Sequence, residues 1–192
     1  MGLDMTTYVE VKREGKWVLI EDKIFTDAPD KSNSPFNWRS YAMYGFLGNM
    51  RNDSNSEYLS YCRGLPEDSE YLNSPHKHAY TFNPFSGEDI PLSMQETNKS
   101  WLYDIGHGHS FVYLKELLDF DYSKKFEDLR GDETIYDSRE KVIGYNGCVI
   151  VEPGYGEIKS YTDFLPETFF TNIQELRTLG VPEDVRVFFY FD

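Results

Sequence analysis

The sequence predicts an α+β fold, a mixed and mostly antiparallel sheet with about three helices packed on it, in a single domain spanning 1–192. Three observations predict it. The chain opens on a hairpin pattern and closes on a run that is apolar on both faces. Between them lie segments of helical spacing that do not alternate with strands one for one, as a parallel sheet would require.

From Thr6 to Lys12 the side chains alternate, Tyr8, Glu10 and Lys12 against Val9 and Val11. After Glu14-Gly15 a second run, Lys16 to Glu21, holds Trp17-Val18-Leu19-Ile20. Two such runs about a short glycine-containing turn read as a β-hairpin. The polar stretch Thr26 to Ser34, with Pro29, reads as a loop. Trp38 to Met50 sets Tyr41, Tyr44, Phe46, Leu47 and Met50 near helical spacing, bounded by Asn52-Asp53-Ser54, and predicts a helix. Residues 52–98 carry four of the nine prolines and little periodicity, which predicts a long, loop-rich insertion of the kind that often serves function.

Ser110 stands before Val112, Leu114, Leu117 and Leu118, predicting a helix capped by Ser110 and ending near Asp121. Asp119 to Asp137 is highly charged and reads as a solvated connection. Val142 to Val151 and Glu157 to Tyr161 read as strands. Pro166 opens a helix through Phe169, Phe170, Ile173 and Leu176 that stops at Gly180. Val185-Arg186-Val187-Phe188-Phe189-Tyr190-Phe191 reads as a central strand, apolar on both faces, which could lie beside the first strand.

The composition narrows the function classes. An aromatic share of 17% excludes a disordered chain. Two distant cysteines, Cys62 and Cys148, give no disulfide framework and no cysteine-rich metal site, and suit a reducing compartment. Asp4 and Glu10 stand where a secretory signal would be basic and then apolar, and no later run is long enough to cross a membrane. The expected location is the cytoplasm, that of a host cell if the gene is carried by a phage. The formal charge of -14 opposes binding to long nucleic acids, because each phosphate contact needs a cation. One or two local arginines could still hold a single nucleotide.

The segment Asp104-Ile105-Gly106-His107-Gly108-His109-Ser110 gathers two of the four histidines and two glycines before a predicted helix start. Glycines let backbone approach a ligand, and a helix N-terminus suits phosphate. His107 and His109 could bond a phosphate or serve as acid and base, with Asp4 orienting one of them. An ordinary junction whose histidines cap or pack is the alternative. Arg39 and Arg63 suit bidentate phosphate contacts, although in so acidic a chain a salt bridge is the default for any arginine. Trp38, Tyr41, Tyr44 and Trp101 could stack on a base, or fill the core. His76-Lys77-His78 has no spacing that promotes a metal site, and a solvated loop is expected there. No metal or cofactor is expected.

Several of these features occur together: Met1-Gly2-Leu3-Asp4 running into Tyr8-Val9-Glu10-Val11, Arg39 and Tyr41, Arg63-Gly64-Leu65-Pro66, the His107-Gly108-His109-Ser110 turn, and the closing strand. In that combination the chain resembles a family of uncharacterised proteins from phages and bacterial mobile elements. Its members often open Met-Gly-Cys-Asp-Ile-His and carry a His-Ser-His-Ser turn. Leu3 and Thr6 stand where that opening has Cys and His, which removes two candidate metal ligands.

The resemblance implies an accessory protein acting against host defence. The leading expectation is a binding protein that captures a small cyclic or NAD-derived nucleotide, through Arg39, Arg63, His107, His109, Ser110, Trp38 and Tyr41. A phosphodiesterase or nucleotide hydrolase using His107 and His109 is one alternative. An acidic inhibitor docking on a host defence protein is another. A homo-oligomer with sites at subunit boundaries is compatible with the capture reading.

Overall fold

A computed structural model describes residues 3–26, 31–77, 83, 87–91, 94–136 and 138–192, with backbone alone at 132–136 and 142–148. Among these residues the chain runs β1 (Met5–Arg13), β2 (Lys16–Leu19), α1 (Tyr41–Gly48), α2 (Glu70–Asn73), α3 (Asn98–Ile105), β3 (His107–Tyr113) and α4 (Leu114–Asp119). It continues through β4 (Lys125–Asp128), β5 (Arg130–Tyr136), β6 (Val142–Ile150), β7 (Glu157–Ser160), α5 (Tyr161–Phe164) and α6 (Glu167–Leu176). A 3-10 turn (Pro182–Asp184) then leads into β8 (Val185–Phe191). The fold is α+β and its strand pairs are antiparallel. There are six helical segments where about three were expected, and the unexpected ones are α2 and α5, of four residues each, and α3, of eight. No helix among the described residues is long and apolar enough to cross a membrane.

The chain divides into two compact units, one of Met1–Arg39, Ser60–Asp119 and Glu167–Asp192, the other of Ser40–Leu59 and Phe120–Pro166. The first holds a four-stranded sheet in the order β2-β1-β8-β3. β8 is buried at every position, because it is central and both of its faces are covered. On one face Phe188 and Tyr190 join Leu65, Leu72 and Leu102, with Tyr8, Leu19, Tyr71, Trp101 and Phe111 packed around them. The other face carries Val9, Val112, Val187 and Phe189, and α4 packs against β3, β8 and α6. Phe36 enters the same unit with its N–H donating to Asn172 Oδ1 (2.5 Å) and its ring stacked on Phe169.

The second unit holds two hairpins, β4 with β7 and β5 with β6. Its core is aromatic, with Phe46, Phe120, Phe126, Phe164 and Tyr161 in mutual edge and tilted contacts. Asn52 Oδ1 organises the loop after α1, accepting from the Ser54 hydroxyl and from both the N–H and hydroxyl of Ser56. Asp128 is buried between Arg130 and Lys159. Burial acts to raise its carboxyl, but hydrogen bonds from both cations hold it below the ordinary carboxylate value.

The structure corrects several expected elements. Ser110 caps no helix: it lies inside β3, and α4 starts only at Leu114. The apolar spacing from Val112 onward fits a helix, but backbone pairing of Ser110 to Tyr113 with β8 prevails over it. The first helix begins at Tyr41 rather than Trp38, because the Ser40 side chain accepts the Met43 N–H and ends the helix there. The charged stretch 119–137 is not a solvated connection but contains β4 and β5, whose partners lie later in the chain. The described part of residues 52–98 is mostly irregular, with α2 inside and α3 beginning at Asn98, and 78–82, 84–86 and 92–93 lie outside the described residues. Part of the expected 26–34 loop, at 27–30, lies outside the described residues.

One charge breaks the apolar run of β8. Arg186 is 1% exposed, donates from Nε to Glu10 Oε2 (2.8 Å) and from Nη1 to Asp68 Oδ1 (2.7 Å), and lies 3.9 Å from the centroid of the Trp17 ring. Nη2 is 2.7 Å from the same Glu10 oxygen but makes no hydrogen bond. Ser69 donates its hydroxyl to the other Glu10 oxygen.

Removing one partner of a buried ion pair strands the other charge, which costs about 3–5 kcal/mol. Arg186→Met is expected to destabilise by about that much, and Glu10→Gln with Arg186→Met to recover most of it. Urea unfolding measures both. A single variant as stable as the parent protein would remove this network from the account of stability.

Candidate functional site

Two short helices and one strand build a cleft on the Phe188 face of the sheet. Ser69 caps α2 by accepting the Leu72 N–H, and Thr97 and Ser100 form a reciprocal capping box at the start of α3. Between them the segment 74–76 is bound to 96–98: Pro75 bridges Thr97, His76 N–H donates to Glu96 O (2.8 Å) and Asn98 N–H to Ser74 O (3.0 Å). The two helices are thereby held side by side. Tyr8 of β1, Tyr71 of α2 and Trp101 of α3 face the gap, which encloses about 330 Å³.

The lining is selective. His76 is buried and stacks on Trp101, with centroids 4.4 Å apart and planes at 14°. Asn98, also buried, spends both amide protons on Tyr71 O (2.9 Å) and Ser74 Oγ (3.0 Å), which leaves Oδ1 to accept from a ligand. Tyr8 hydrogen-bonds to Tyr71 and Tyr190. Burial first, and then those two phenols, push its own phenol above the ordinary 10, so it stays a neutral donor. Lys77, exposed, also lines the cleft. The described lining contains no Asp or Glu, in a chain that has 33 of them. Chemically this suits a flat ring to stack, a donor to meet Asn98, and an anionic substituent near Lys77.

The residues that the sequence singled out lie elsewhere, in pairs. Asp4 and Arg39 form a two-point exposed salt bridge (2.9 and 2.7 Å), so the Asp4 carboxylate is occupied by Arg39 rather than orienting a histidine. Arg63 binds Glu116 through both terminal nitrogens (2.9 and 2.7 Å) and donates to Phe111 O. Its backbone N–H reaches the Ser110 hydroxyl, which is buried and bonded to that of Ser60. Trp38 packs its edge on Phe36. Tyr41, in the second unit, stands at the first turn of α1 with the Arg51 guanidinium 6.0 Å from its ring centroid.

His107 is exposed, whereas His109 is buried between Tyr103 and Tyr190 with Nε2 donating to Leu102 O (2.9 Å). A β-bulge separates them, and Gly108 takes φ 62°, a conformation that glycine adopts without strain. Gly106 serves packing: a Cβ there would lie 2.1 Å from Tyr190 Cδ2. Of Trp38, Tyr41, Tyr44 and Trp101, the aromatics expected to stack on a base or fill the core, Trp101 lines the cleft. Its stacking partner His76 is not solvated as expected, and His78 lies outside the described residues. Among the described residues no three His, Cys, Asp or Glu side chains stand close enough to hold a metal ion. The signal in the sequence was the His76-Lys77 pair ahead of Trp101; the proximity of Tyr8 and Tyr71 was not encoded locally.

Burial lowers the His109 imidazole below its ordinary 6.5, the bond to Leu102 O opposes this, and His107 adds to it. Between the folded value and 6.5 the unfolded chain holds a proton that the folded chain does not, so stability falls as pH drops through that window. Below the folded value both states are protonated and the loss levels off. In His109→Gln the amide can keep the bond to Leu102 O without titrating. The stability difference between parent and variant is expected to shift against the parent as pH falls from about 7 to about 5, measured by urea unfolding. A pH-independent difference would exclude His109 as the source.

Comparison with family models, with curated protein sequences and with solved structures finds no match to this chain.

Proposed function

We propose that the protein binds a small, planar, anionic ligand of one-nucleotide size in the cleft between Tyr8, Tyr71 and Trp101, and captures rather than converts it. The observation that carries this reading is that the described lining of the cleft holds no carboxylate, in an otherwise strongly acidic chain. A net charge of -14 repels anions in general, so a nucleotide needs a place where that field is locally relieved. The cleft offers one, with Lys77 for phosphate, the His76–Trp101 stack for a base and Asn98 Oδ1 for an exocyclic amine.

Size narrows the ligand. Small-molecule sites enclose roughly 300–1,000 Å³, and about 330 Å³ holds one base and sugar rather than a dinucleotide. Mononucleotides, their cyclic forms and single-base fragments derived from NAD fit this limit. Capture is favoured over turnover because His109 is committed to Leu102 O and Asp4 to Arg39, so the acid–base pair expected of a hydrolase has no free carboxylate behind it. With the resemblance to proteins of phages and mobile elements, such capture would withdraw a signalling nucleotide from a host defence system.

A thermal-shift panel of mononucleotides, cyclic mononucleotides and NAD fragments, with chromatography of each mixture, tests this reading. The expected result is stabilisation by one or more of them, each recovered intact. Base stacking on an aromatic side chain is worth about 1–3 kcal/mol, so Trp101→Ala should weaken binding roughly 5- to 150-fold. Lys77→Ala should weaken the nucleotide and leave its nucleoside unaffected. Silence across the panel, or affinity untouched in Trp101→Ala, would overturn the proposal.

A further inference from the structure

One amide in the cleft has its orientation fixed from behind. Asn98 is 8% exposed, and its Nδ2 lies 2.9 Å from Tyr71 O and 3.0 Å from Ser74 Oγ. Tyr71 O is a backbone carbonyl at the end of α2 and can only accept. Ser74 Oγ spends its one proton on that same carbonyl (2.7 Å), so toward Asn98 it too can only accept. Turning the amide over would set Oδ1 against Tyr71 O, acceptor to acceptor, and would take both amide protons away from these partners. The flip loses two hydrogen bonds and adds a repulsion.

Oδ1 is consequently held on the far side of the amide. Among the described residues it accepts no hydrogen bond, yet it is not sealed from solvent as Arg186 Nη2 is, so it opens on the cleft that Asn98 lines. A hydroxyl would rotate to suit either kind of partner, whereas this oxygen is an acceptor in every state of the site. A ligand N–H satisfies it and a ligand carbonyl opposes it.

The same lining holds a donor. Tyr8 is hydrogen-bonded to Tyr71 on one side and to Tyr190 on the other, so three phenols make two links and one O–H proton is left over. Tyr190 is 5% exposed, and an unused proton costs least at the open end of the chain. Tyr190 therefore donates to Tyr8 and Tyr8 to Tyr71, and the Tyr71 phenol keeps its proton for the cleft.

We infer that the cleft selects a base whose exocyclic amine stands beside an unprotonated ring nitrogen, as in adenine and cytosine, over the oxo counterparts hypoxanthine and uracil. The amine donates to Asn98 Oδ1 and the ring nitrogen accepts from the Tyr71 phenol. The inference rests on the nucleotide reading of this cleft and adds which bases it takes.

Calorimetric titration of the full chain with the 5′-monophosphates of adenosine, inosine, cytidine and uridine tests it. Within each pair an amine becomes a carbonyl and the ring nitrogen gains a proton, while sugar and phosphate stay the same. In whichever pair binds, the amino member should bind roughly 5- to 150-fold more tightly than the oxo member. Binding in the adenosine pair assigns a purine, in the cytidine pair a pyrimidine, and in both a site that reads this edge alone. Purine riboside monophosphate, which keeps the ring nitrogen and lacks the amine, should bind more weakly than adenosine monophosphate. Tyr71→Phe keeps the ring and the carbonyl that orients Asn98, and should weaken the amino nucleotide several-fold. Equal affinity within a pair, preference for the oxo member, or an amino nucleotide indifferent to Tyr71→Phe overturns the inference and leaves the capture reading standing. No binding by any of the four overturns both.

Discussion

The structure depends on a positive charge held in the middle of its main sheet. Arg186 sits on the central strand with 1% of its surface exposed, where an ion without partners would cost several kcal/mol. Glu10, directly opposite on β1, and Asp68, ahead of α2, supply the compensation. Because a one-residue slip would turn Arg186 to the Val187 face, the pair specifies the register of β1 on β8. The pairing of valine and phenylalanine with their cross-strand neighbours would not discriminate registers so sharply.

The same network positions the surroundings of the cleft. Ser69 donates to Glu10 and accepts from Leu72 N–H, so the residue that satisfies the buried carboxylate also starts α2. Trp17 bridges to Ser69 through the backbone, which ties the hairpin to that point. From there α2 presents Tyr71 to the cleft, and Asp68 holds the Trp17 indole. A charge satisfied inside the sheet thereby becomes a geometric reference for a surface cleft.

Cations elsewhere are spent locally. Arg39, Arg63 and Arg130 bind carboxylates, as do Lys16, Lys99, Lys115, Lys124 and Lys159. Exposed pairs of this kind contribute about 0–1 kcal/mol each, so their larger effect is on the field. They leave a predominantly negative surface on which a cleft with one lysine and no carboxylate in its described lining stands apart. The arginines that looked suited to phosphate follow the default of an acidic chain and find carboxylates first.

The sequence by itself determined the local elements whose period is unambiguous: the opening hairpin, the helix after Pro166, the buried last strand, and from these the α+β class. Those patterns record burial on one or both faces, which is set residue by residue. Only the tertiary structure decided the rest. Pairing with β8 made Ser110 a strand residue although its neighbours have helical spacing, and distant partners made β4 and β5 out of a stretch that reads as charged linker. The cleft was legible only as isolated hints at His76, Lys77 and Trp101, because Tyr8 reaches it from a strand more than sixty residues earlier in the chain. A site assembled across such separations has no periodicity to read. Its residues are brought together by the sheet register, and that register rests on a buried ion pair whose partners are 176 residues apart.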